Sequence, residues 1–180
     1  MPLPPDIPDL PCLRGEAEAR DYLERRRWPR GAVRCPRCSR PPVAFRVQPR
    51  PGSAFGARPG LWKCPGCRRQ FTVTVGTLLE HTHLPLHTWL VAAFLSFCLP
   101  RPCPALELAC QLSISRKAAY GLARRFAYAA GEAPELSCRP VRFDAVVRRL
   151  LDLVPERRHP LALARQESRL ARNKRPDVGV

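Results

Sequence analysis

"WKCPGCRRQFTVTVGT", residues 62–77, sets two cysteines in a tight knuckle, then two arginines, then a strand-like alternation. The spacing repeats upstream as "CPRC", 35–38, with 25 residues between the two pairs. Cysteines in this pattern can belong to a disulfide framework, a redox pair or a metal site. The opening "MPLPPDIPDLP" has no basic region and no apolar stretch of a secretory signal. A cytosolic protein is expected, in which thiols stay reduced and structural disulfides are rare. A thioredoxin-like motif needs one pair on a βαβ unit, not two on hairpins. An iron–sulfur cluster can also use four cysteines, but spaced pairs on short strands favour zinc. Two knuckles point four thiolates at one centre, the set that tetrahedral Zn²⁺ takes at about 2.3 Å per bond. Cys35, Cys38, Cys64 and Cys67 are therefore read as ligands of one Zn²⁺, structural because no coordination position stays open. The gap exceeds the roughly 15–20 residues of the usual rule. The excess falls in "QPRPGSAFGARPG", 48–60, whose Pro, Gly and Arg suit a hairpin tip.

Charge points to what the module meets. The 180 residues carry 31 Lys and Arg against 15 Asp and Glu, a net +16. Between Glu24 and Glu80 there is no acid, while 13 Arg and Lys occur. A GC-rich coding sequence accounts for Arg over Lys but not for the loss of acids from one third of the chain. The resulting field attracts polyanions, and duplex DNA is the expected partner. Neither a small-molecule substrate nor a membrane is expected. The longest apolar run, "WLVAAFLSFCL" at 89–99, is about half of what a bilayer requires. The expected location is the cytoplasm, at the nucleoid.

Periodicity divides the chain into small α+β modules: a four-cysteine zinc ribbon of short antiparallel hairpins, then an all-α region. Residues 1–30 form a Pro-rich lead and a short helix over 15–28, with Ala19, Tyr22 and Leu23 on one face. Residues 31–77 form the ribbon, with strands expected at 42–47 and 71–75. Residues 78–133 hold a buried helix over 86–98 and two helices around a turn. Residues 134–180 read as a basic, partly helical tail, including "AVVRRLLDLV" and "LALARQESRLAR". Cys12, Cys98, Cys103, Cys110 and Cys138 lack paired spacing and read as small buried hydrophobes. His81, His83 and His87 lack a further ligand at helical spacing and read as surface residues.

"ALELACQLSISRKAAYGLARRF", 105–126, has the pattern of a helix–turn–helix. Leu108, Ala109 and Leu112 share one face, and Ala119, Leu122 and Phe126 share another. Ser115 suits the N-cap of the second helix. Arg116, Lys117, Tyr120, Arg124 and Arg125 fall on outer faces fit for phosphates and base edges. With Ser115, and with Arg68 and Arg69 of the ribbon, they are the expected DNA contacts. Two features oppose a stiff motif. Ser113 occupies a turn position where Gly is easier, and Gly121 lies inside the reading helix at a cost of about 1 kcal/mol relative to Ala.

The stretches "YLERRRWPRGAVRCPRC", "LWKCPGCRRQFTVTVGTLLEHTHLPLHTWL" and "LELACQLSISRKAAYGLARR", in this order, resemble the N-terminal part of zinc-ribbon insertion-sequence transposases over about residues 16–130. The resemblance implies zinc ligation by Cys35, Cys38, Cys64 and Cys67, DNA contact by the helix at 116–126, and recognition of the element's terminal inverted repeats. It also implies a C-terminal domain that cuts and joins DNA with three metal-binding carboxylates. Asp144 stands roughly where the first of these is expected, but Ala145 follows it, no Gly-rich turn comes next, and 36 residues remain. The expectation is a transposase-derived protein that binds element ends without strand-transfer activity of its own. Full-length transposase or a second copy of the chain are the protein partners to expect. A free-standing transcriptional regulator built from the same two modules is the alternative.

Overall fold

In the computed structural model, residues 9–38, 43–48, 59–138 and 140–153 are described. Helix α1 (Pro11–Arg14) is one turn opened by proline, and it buries Cys12 and Leu13. Helix α2 (Glu16–Arg27) places Glu16 and Glu18 in its first turn and Arg25, Arg26 and Arg27 in its last, complementing the helix dipole at both ends. Its inner face is Ala19 and Leu23, with Tyr22 half-buried. Trp28 ends it, donating its backbone N–H to the Glu24 carbonyl at 2.8 Å.

The ribbon is an antiparallel sheet of three two-residue strands: β1 (Phe45–Arg46), β2 (Trp62–Lys63) and β3 (Gln70–Phe71). Phe45 lies opposite Lys63, and Trp62 lies opposite Phe71. Trp28 packs edge-on to Trp62 and Phe71, with ring centroids 5.9 and 6.3 Å apart. The strand expected over 71–75 ends at Phe71. Beyond it the chain runs through turns, with Val75 N–H donating to the Thr72 carbonyl and Thr77 N–H to the Thr74 carbonyl, each at 3.2 Å. In this antiparallel register Thr72 and Val73 would fall opposite Leu61 and Gly60, and there the partner chain is already in a turn, with Gly60 at φ 73°. The threonine hydroxyls supply local partners instead: Thr77 Oγ1 donates to the Thr74 carbonyl at 2.7 Å. The expected loop 48–60 lies largely outside the described residues.

Helix α3 (Leu86–Phe97) buries ten of its twelve residues and forms the centre of the molecule. Helix α4 (Ala105–Gln111) and helix α5 (Arg116–Glu132) follow, then a 3₁₀ turn over Pro134–Ser137 and helix α6 (Phe143–Asp152). Phe126 of α5 meets Trp89 and Phe97 of α3 edge-on at 5.6 and 5.4 Å. Helix α6 buries Val146, Val147, Leu150 and Leu151, and its Phe143 packs against Phe94 and Tyr22. Residues 143–152 are thus part of the body, not an appended tail. Buried residues from α1, the ribbon, α3, α4, α5 and α6 join one apolar core. None of these short segments has enough apolar surface to make a core alone. "LALARQESRLAR" lies outside the described residues.

Candidate metal centre and nucleic-acid interface

Turns over 36–38 and 65–67 bend each knuckle so that both cysteines face inward. The four Sγ atoms of Cys35, Cys38, Cys64 and Cys67 lie within 4.8 Å of one another. Cys35 Sγ is 3.7 Å from Cys67 Sγ, and Cys38 Sγ is 3.5 Å from Cys64 Sγ. A zinc tetrahedron with bonds of about 2.3 Å has edges of about 3.8 Å, so the quartet fits one Zn²⁺ almost without movement. The Cys67 N–H approaches Cys64 Sγ at 3.5 Å. That backbone donor leads the effects that bring the Cys64 thiol down to about 7, toward the thiolate that a metal needs. Arg68 takes a left-handed conformation, φ 59°, directly after the last ligand. The reversal lets Cys64 N–H donate to the Arg69 carbonyl at 3.0 Å, which joins the knuckle to the sheet. Four thiolates close the coordination sphere, so the ion's role is to hold the fold.

Residues 14–70 match the family model of the transposase zinc-ribbon domain. The cysteine module is similar to the zinc ribbon of transposases. The match spans α2 and the ribbon, ends at β3 and stops short of α3 to α6. No curated protein and no solved structure matches the chain significantly.

Around the ribbon's knuckles, Arg34, Arg37, Arg68 and Arg69 are exposed. Among the described residues no carboxylate pairs with any of the four. Glu24, the last acid before the acid-free stretch, is buried and already engaged: it accepts from Arg46 at 2.6 Å and from Trp62 Nε1 at 3.2 Å. Arg68 and Arg69 are the expected contacts, and Arg34 and Arg37 are exposed beside them. Their adjacency to Cys35 and Cys38 is the signal that locates them at the same centre.

The second cluster lies on α5. Between α4 and α5, Ser113 adopts φ 50°, the left-handed turn expected of it, and Ile114 N–H donates to the Ala109 carbonyl at 3.1 Å. Ser115 Oγ accepts from Ala118 N–H at 3.2 Å, so this hydroxyl serves as the N-cap. Arg116, Lys117, Tyr120 and Arg124 share the exposed face of α5, and Tyr120 is 56% exposed. The first turn of α5 contains two cations and no acid, against the preference of the helix dipole.

Arg125 departs from the expected surface set. Its Nη1 donates to the carbonyls of Leu78 at 2.5 Å and Glu80 at 2.9 Å, and its guanidinium lies over the Trp89 ring. Standing three residues after Leu122 and four before Ala129, it borders the buried stripe and bonds into the fold. Arg27 of α2 grips the same turn segment, donating to the Val73 carbonyl at 2.5 Å. Burial brings its guanidinium down to about 10.

The carboxylate expected nearest to a catalytic position is also engaged. Asp144 accepts from Tyr22 Oη at 2.7 Å and pairs with Arg26. The Tyr22 hydrogen bond, helped by the Arg26 charge, holds Asp144 below the usual carboxylate range. His81 and His83 are exposed, and His87 is half-buried beside Glu16. Of the unpaired cysteines, Cys12 is buried as expected, and Cys98 and Cys103 are half-buried, with burial pushing both thiols up to about 11. Cys110 and Cys138 are exposed. Cys110 lies on the outer face of α4, one position past the buried pair Leu108 and Ala109, and Cys138 lies just past the 3₁₀ turn. Among the described residues no helix is long and apolar enough to cross a membrane.

Proposed function

We propose that the chain binds duplex DNA, with α5 entering the major groove and the ribbon arginines on phosphates. The zinc ion holds the ribbon in the conformation that presents them. The observation that carries this reading is the exposed face of α5. Arg116 and Lys117 occupy a helix start that disfavours cations, and Tyr120 and Arg124 continue the face. Phosphate at that start would relieve the conflict, because helix N-termini attract anions. The transposase type of the ribbon supports a mobile element's ends as the target. The carboxylates Glu16, Glu24, Glu80 and Asp144 accept hydrogen bonds within the fold. This supports a role in binding DNA without cutting it. Such a protein would compete with a full-length transposase for the same ends.

Fluorescence anisotropy with labelled duplexes across a salt series tests the reading. Affinity should fall steeply with salt, and Arg116→Ala or Lys117→Ala should each lower the logarithmic slope by about 1. Salt-independent binding, or none, would refute it. Selection from a random duplex pool then separates element ends from chromosomal sites, and Mg²⁺-dependent nicking by the purified protein would refute the non-enzymatic part.

A further inference from the structure

Gly121 sits in the middle of α5 without a reason inside the molecule. Its φ is not in the left-handed region, so the backbone does not require glycine. A Cβ built on it meets nothing within 4 Å, so packing does not require glycine either. It is exposed, and as a helix-interior glycine it weakens α5 relative to alanine. A residue that opposes local stability with no compensating contact in its own fold points to something outside that fold. Its neighbours on the helix surface are Lys117, four residues before it, and Arg124, three after. Both are exposed cations.

Gly131, near the C-terminal end of the same helix, is equally open and exposed. Its surroundings differ. Ala127 lies four residues before it, and Glu132 follows it. No cation borders it on the helix surface, and it lies past the N-terminal half of the helix that reads base edges in this kind of docking.

Resting on the DNA-binding reading above, we propose that Gly121 is a contact gap, where the missing side chain lets one wall of the major groove approach the α5 main chain between Lys117 and Arg124. At this distance the groove wall is in van der Waals contact with the helix backbone. A methyl group at 121 would hold the helix away and would strain the register of Arg116, Lys117 and Tyr120 on the DNA.

The inference makes stability and binding move in opposite directions. Gly121→Ala in the full chain with zinc should raise Tm by about 2–4 °C. The same variant should lose about tenfold or more in affinity for duplexes that the wild-type protein selects from a random pool. Its affinity for a mixed-sequence duplex, and the salt slope, should change little, since no cation is lost. Gly131→Ala should raise Tm without changing selected-site affinity. Unchanged or tighter binding of selected duplexes by Gly121→Ala would overturn the gap while leaving the DNA-binding reading intact. Absence of any salt-dependent binding by the wild-type protein would overturn both.

Discussion

The ribbon and the helical body achieve order by different means. The ribbon's described strands are two residues each, and Phe45 on the first strand and Val43 just before it are exposed. A sheet that small cannot hold itself together, and four thiolates supply the constraint. The helical body has α3 almost wholly buried, with Phe126, Val146, Val147 and Leu150 closing around it. It is held by apolar packing. The lesson is that one short chain combines a metal-dependent part and a packing-dependent part, joined by the turn segment that Arg27 and Arg125 grip.

The largest expected effect comes from removing the metal constraint. Apparent zinc-binding free energies in zinc-finger peptides are about 10–16 kcal/mol at neutral pH. Cys64→Ser, or a strong chelator, should release the ion and unfold residues 31–71. Most of the far-UV helical signal, which arises from α3 to α6, should remain. Metal analysis with circular dichroism checks this, and a Cys64→Ser protein that keeps its full zinc content would refute the site.

Phe126→Ala attacks the other half. Loss of the ring packed on Trp89 and Phe97 should cost about 3–5 kcal/mol, read as a lower denaturant midpoint. Zinc content below the transition should not change. If zinc were lost in proportion, the ribbon and the helical body would be one cooperative unit.

Arg125→Ala tests the joint. Two backbone carbonyls lose a charged donor, which should cost about 2–4 kcal/mol. Arg124→Ala, one residue away and exposed, should leave stability nearly unchanged and weaken DNA binding. Equal stability losses in the two variants would contradict the inward placement of Arg125.

The smallest effect is the acid limb at the contact between α2 and α6. The carboxyl of Asp144 is lowered in the folded state, so its contribution is fully present above the unfolded value of about 3.9. It is lost as pH falls through the folded value. The pair with Arg26 is largely exposed, so the effect should stay under about 1 kcal/mol. Asp144→Asn should flatten the acid limb below about pH 4 and leave the neutral Tm slightly lower. An unchanged acid limb would remove Asp144 from this role.

Much of this was legible in the residues. The paired knuckles announce the metal site, since thiolate spacing is a local property. The buried helix over 86–98, the cap at Ser115 and the strained turn at Ser113 follow from local pattern as well. Strand 71–75 was overread, because alternation of Phe71, Val73 and Val75 says which residues are buried and not whether a partner strand is available to pair with them. Arg125 was misread for a related reason: beside Arg124 it resembles a surface cation, and only the carbonyls of Leu78 and Glu80, distant in sequence, reveal where it bonds. Composition drew attention to positive charge but could not sort arginines that hold the fold, such as Arg27 and Arg125, from those left exposed, such as Arg116 and Arg124.

The sequence by itself determined the four zinc ligands, the two-helix unit at 105–126 and the excess of positive charge, because spacing, capping and charge act over a few residues. Only the tertiary structure decided that α6 belongs to the core, that Asp144 joins Tyr22 and Arg26, and that Gly121 has no neighbour in the fold. Those outcomes depend on contacts between residues up to 122 positions apart, and local pattern carries no information about which distant surfaces meet.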